Sequence, residues 1–178
     1  MDTPKYNPMQ TVKREFFAMR NGIIADTYRK AGTVFKIVFG LNLPQLVEIA
    51  GRTPHSRELA EALWANTTTR ESMLLAPMLV DPDTFTESDA RRWIASVCSY
   101  EVADILCHRL LRHTPYAWTL AESLIDRPEN EYDRYVALRL AFNLVAADPR
   151  RSLAIAERMP GDRVAEMLAE EARFQIGE

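Results

Sequence analysis

Apolar residues recur every three or four positions through most of this 178-residue chain, and alternating β-branched runs are missing. That periodicity belongs to helices rather than to a sheet. In segment 56–66, Ser56 stands as an N-cap, and Leu59, Ala60, Leu63 and Trp64 follow at spacings that place them on one stripe. Segment 70–80 repeats the arrangement with Met73, Leu74, Met78 and Leu79, although Pro77 removes a backbone donor and should disturb it. Asp81-Pro82-Asp83 then ends that helix. Thr86 and Asp89 form a capping pair for a helix through Trp93, Ile94 and Val97, and Ser99 caps a long helix expected from Tyr100 to about Arg112. Further helices are expected at 115–126, 130–146, 149–158 and 162–174, and in the N-terminal third at about 9–20, 22–30 and 43–51.

Connections of only a few residues force neighbouring helices to run antiparallel. In the 100–112 helix, Val102, Ile105, Leu106, Cys107, Leu110 and Leu111 cover well over half the circumference. A helix so widely apolar packs on two sides, as the inner helices of a stacked array do. The expectation is an all-α, single-domain chain over 1–178, a solenoid of stacked antiparallel helix pairs. No strict repeat is present, so the solenoid is degenerate, and an irregular helical bundle is the competing architecture.

Composition adds limits. With 47% hydrophobic and 26% charged residues, the chain has the mixture of a globular protein that needs neither disulfides nor metals to stand. Cys98 and Cys107 sit in apolar segments and read as reduced, buried thiols. Residues 1–20 carry Lys5, Lys13, Arg14, Glu15 and Arg20 instead of a secretory apolar block, so a cytoplasmic location is expected. No stretch approaches the ~20 apolar residues of a membrane span. The net charge of −3 argues against strong non-specific nucleic-acid binding and leaves room for a basic patch on one face. Cys107, His108 and His113 share no recognised ligand spacing, so no metal is expected. No nucleophile elbow, phosphate loop or dinucleotide fingerprint implies a cofactor. Trp64, Trp93 and Trp118 lie on apolar stripes and are expected in the core.

Several stretches carry a resemblance. Phe39-Gly40-Leu41-Asn42-Leu43-Pro44 leads into Leu46-Val47-Glu48-Ile49-Ala50, and Glu58-Leu59-Ala60-Glu61-Ala62-Leu63-Trp64 is followed by Arg70-Glu71 and Leu74-Leu75. Ser99-Tyr100-Glu101-Val102-Ala103-Asp104 comes next, and then Tyr132-Asp133-Arg134-Tyr135-Val136-Ala137-Leu138. In this order, over most of 39–145, they resemble the DNA alkylation repair family of HEAT-like repeat DNA glycosylases. Glu101 stands where that family has an aspartate, and Tyr135 where it has a second arginine.

The resemblance implies a HEAT-like solenoid that binds duplex DNA and hydrolyses the N-glycosidic bond of cationic, N3- or N7-alkylated purines. No cofactor is needed, because a cationic base is already a good leaving group. What it needs is a carboxylate for the oxocarbenium-like sugar and aromatic faces for the cation. The resemblance assigns these roles to Asp104 and Tyr100, with Arg134 on phosphate; Arg139, Arg109 and Arg112 are candidates for the DNA backbone by charge. A different reading makes Asp104 a half-buried carboxylate paired with an arginine such as Arg134. The protein would then be a catalytically inactive scaffold that binds protein or DNA. Either way a monomer is expected.

Overall fold

Short polar side chains set where the helices begin. Asn7, Asn21, Asn42 and Ser56 each accept a first-turn N–H, opening α1 (Pro8–Ala18), α2 (Gly22–Lys30), α3 (Leu43–Arg52) and α4 (Arg57–Ala65). The computed structural model describes residues 7–177, so Lys5 of the charged N-terminal segment lies outside the described residues. Thr69 precedes α5 (Arg70–Leu75), and Pro77 has the expected effect: the chain tightens into a 3-10 turn over Ala76–Leu79. Thr86 and Asp89 form a reciprocal capping box on α6 (Glu87–Ile94). Ser99 caps α7 (Tyr100–Arg109), and α8 (Ala117–Asp126) and α9 (Asp133–Leu144) follow. Asp148 and Asp162 cap α10 (Pro149–Ala156) and α11 (Arg163–Ile176). Among the described residues the only extended pairing is an isolated bridge between Ile37 and Thr69.

One helix is shorter than its sequence suggests. α7 ends at Arg109; Leu110 takes φ −130° and ψ −64°, and Leu111–His113 forms a separate 3-10 turn. Leu110 and Leu111 are both fully buried. Adjacent residues on a straight helix point about 100° apart, so the break is what lets both leucines reach the core.

The described residues fall into two compact units, divided between Asp81 and Pro82. In the first, α4 packs against α1 and α5, and α3 packs against α5. Phe16, Leu46, Ile49 and Leu63 fill its centre. An ion pair is buried there too. The Glu71 carboxylate accepts from the N–H groups of Phe39 (3.1 Å), Gly40 (2.9 Å) and Leu41 (3.4 Å). Arg70 Nη1 donates to Glu71 at 2.8 Å and to the Leu41 carbonyl at 3.0 Å, while Nη2 donates to the Tyr28 hydroxyl at 2.9 Å. The 39–41 turn is thereby tied to α5 with its backbone donors satisfied. Gly40 has φ +80°, and a Cβ there would lie 2.3 Å from the Asn21 carbonyl oxygen.

In the second unit α9 is central, packing against α7, α8, α10 and α11, while α10 and α11 pair with each other. Trp93 is fully buried, edge-on to Phe85 at 5.0 Å between ring centroids. Trp64, in the first unit, is also in the core. Trp118 departs from expectation: it is only half-buried, with the Arg151 guanidinium 5.0 Å from its ring centroid. Cys107 is buried as expected, and Cys98 is only half-buried.

Candidate functional site

The face of α7 that begins with Tyr100 packs against α9. Asp104 lies one turn beyond Tyr100, and its partners come from α9 at positions four apart. Tyr135 donates its hydroxyl to Asp104 Oδ1 at 2.9 Å, and Arg139 Nε donates to the same oxygen at 2.7 Å. Oδ2 has no protein donor among the described residues. The pair is about one-third exposed on each side, 37% for Asp104 and 31% for Arg139.

A cluster of tyrosines stands beside this carboxylate. Tyr100 is 62% exposed, with its ring 4.6 Å from that of Tyr135 and 5.4 Å from that of Tyr132. Tyr132 donates its hydroxyl to the Cys98 carbonyl at 3.2 Å, which fixes the far edge of the cluster. The Tyr135 phenol is held above its ordinary value, first by burial, then by its hydrogen bond to Asp104 and by that carboxylate's charge. It therefore stays protonated and keeps donating. One turn further along, His108 Nδ1 donates to Asn143 Oδ1 at 2.8 Å, and Asn143 Nδ2 donates to the Arg139 carbonyl at 2.7 Å. This second rung holds α9 in register with α7 beneath the Asp104 contacts.

The candidate residues do not all converge. Asp104, Tyr100 and Arg139 come together. Arg134 is exposed on α9, and the arginine paired with Asp104 is Arg139. Arg109 is half-buried and its Nε is enclosed without a hydrogen-bond partner. Arg112 Nε donates to His113 Nε2 at 3.1 Å. His113 is held below its usual value by partial desolvation, then by the charges of Arg112 and His108, which suits a neutral, accepting ring. Cys107 is also outside any chemistry here: burial first, then the Asp104 charge, pushes its thiol up, and Sγ lies 3.5 Å from the Val136 carbonyl.

In the sequence Tyr135 reads only as a replacement for an arginine, and Tyr132 carries no site role. The available signal was the spacing. Tyr135 and Arg139 are four apart, hence on one face of α9, where a single carboxylate can accept from both.

A family described as DNA alkylation repair enzyme matches residues 12–163. A solved structure, reported as a new family of proteins related to the HEAT-like repeat DNA glycosylases with affinity for branched DNA structures, is similar in fold. It shares 21% identity at a TM-score of 0.74, over 94% of this chain and 75% of that one. No curated protein matches this chain. The all-helical architecture is thus the HEAT-like one.

Proposed function

The chain belongs to the DNA alkylation repair enzyme family, and we propose that it binds duplex DNA and hydrolyses the N-glycosidic bond of purines alkylated at N3 or N7. The observation that carries this reading is the Asp104 carboxylate, anchored through Oδ1, with Oδ2 lacking a protein donor among the described residues, one helical turn from the exposed Tyr100. Departure of a cationic base as a neutral purine moves positive charge onto the sugar. A fixed carboxylate stabilises that charge where it develops, without reorganising first. The tyrosine faces attract the cationic nucleotide through their quadrupoles. Tyr135 and Arg139 are positioning residues here, since both act by holding Asp104. Arg134, exposed on the same helix, takes a phosphate. In this reading the protein works as a cytoplasmic monomer; no helix among the described residues is long and apolar enough to cross a membrane.

The test is release of free base from duplex DNA carrying 7-methylguanine or 3-methyladenine, wild type beside Asp104→Asn. Release by the wild type, reduced by about 100-fold or more in the variant, is expected from the loss of one preorganised electrostatic group. Equal release by both removes Asp104 from the chemistry.

A second reading has an observation of its own. Arg139 at 2.7 Å offsets much of the Asp104 charge, and the similar solved protein is described by affinity for branched DNA. Both favour a scaffold that binds DNA without cleaving it. Firm binding to DNA with no base release from any alkylated substrate is its signature.

A further inference from the structure

In the N-terminal unit an open trough of about 320 Å³ lies between the end of α1, the start of α2 and the segment 36–39. Phe17 and Ile37 stand on it, 58% and 47% exposed. A loose backbone does not account for that exposure. Ile37 N–H donates to the Thr68 carbonyl at 2.9 Å, and its own carbonyl accepts from Arg70 at 3.1 Å. The Phe39 carbonyl accepts from Asn21 at 2.8 Å, its N–H is held by Glu71, and its ring packs 5.8 Å from Phe16. Apolar side chains presented to water from so pinned a frame form a preformed surface, which marks recognition.

The charges narrow the occupant. Arg20, Arg29 and Lys36 line the trough and no carboxylate does, in a chain whose net charge is −3. Arg29 is also paired with Asp26. The Arg20 guanidinium lies 3.8 Å from the Phe17 ring centroid and donates to the Phe17 carbonyl at 2.8 Å. Cation and ring therefore make one fixed platform. Gly22 leaves open space where a side chain would stand. A complementary occupant is flat and apolar in its body and anionic at its edge.

Resting on the DNA-binding reading above, we propose that this trough takes up an unpaired nucleotide of a DNA single strand. Its base stacks on Phe17 against Ile37, and its phosphate lies between Arg20 and Lys36. A base in intact duplex is stacked on both faces and cannot enter, so the trough separates unpaired from paired DNA.

The experiment is fluorescence anisotropy with the full chain, comparing a blunt duplex with the same duplex carrying a single-stranded thymidine overhang. The overhang is expected to tighten binding by about tenfold, the scale of one stacked base. Phe17→Ala, at an exposed position, removes that increment and leaves blunt-duplex binding unchanged; Asp104→Asn leaves the increment in place. Blunt binding without an increment overturns the trough alone, as does an increment that survives Phe17→Ala. Failure to bind either DNA overturns the trough and the DNA reading together. Loss of self-association on Phe17→Ala, seen by sedimentation, makes the trough a contact between copies of the chain and also overturns the proposal.

Discussion

Tyr135 separates the roles of hydroxyl and ring at the Asp104 site. Tyr135→Phe keeps the ring against Tyr100 but removes the donor to Oδ1, leaving Arg139 as the sole anchor. The expected outcome is a loss of about 1 kcal/mol in stability, read as a shift in the urea midpoint. Base release should fall by less than in Asp104→Asn, because the carboxylate remains. Glu71 makes a harsher test of residue-level reasoning. Glu71→Ala takes the carboxylate partner from Arg70 and the acceptor from three backbone donors of the 39–41 turn in a buried site. A cost of about 3–5 kcal/mol is expected from breaking a buried ion pair, measured by chemical denaturation. The Arg70-Glu71 pair was visible in the sequence as part of a motif, yet its burial was not. Nothing local distinguishes a pair that caps a distant turn from one on the surface. Asp104 shows the same limit. Its position on the Tyr100 face followed from helical spacing, whereas its partnership with Arg139 instead of Arg134 depended on how α7 and α9 meet.

Helices were the most legible level, because their starts are written in a few adjacent residues. Ser56, Thr86 and Ser99 all cap as their sequence positions suggest. Ser99→Ala should accordingly cost about 1 kcal/mol, and circular dichroism during thermal melting would show the lowered Tm. The end of α7 was not legible, since what stops it is the burial of Leu110 and Leu111 together, a demand of the core rather than a local stop signal. Between elements, Arg151 on α10 donates to both carboxylate oxygens of Glu122 on α8, at 2.7 and 3.0 Å. That hydrogen bond leads in holding the Glu122 carboxyl below its ordinary 4.5. A depressed carboxylate stabilises the fold above its unfolded pKa and loses that contribution as pH falls through the folded value. Glu122→Gln should therefore be less stable than wild type at neutral pH by up to about 1 kcal/mol, given its partial exposure. The two proteins should converge below the ordinary carboxylate range, which parallel denaturation curves at several pH values would reveal.

At the scale of the whole chain, a net charge of −3 leaves only local patches to hold a polyanion. DNA affinity should rest on few phosphate contacts, so log Kd should change only shallowly with log salt, with a slope near two or three in magnitude at about 0.9 per neutralised phosphate. A slope near ten, measured by anisotropy across a salt series, would instead demand an extended basic face. The family was legible from ordered motifs, and the match over residues 12–163 agrees with it. Chemistry was less legible than kinship, because it turns on the electrostatic balance at one carboxylate. That balance can be read directly by measuring Kd for duplex DNA containing a cationic pyrrolidine in place of one sugar, against the same duplex with a neutral abasic analogue. The pyrrolidine stands in for the charge that develops on the sugar as the base leaves. The account predicts that wild type binds the cationic duplex at least about tenfold more tightly, a difference of 1.4 kcal/mol, and that Asp104→Asn abolishes the preference. Equal affinity for the two duplexes in the wild type would contradict it.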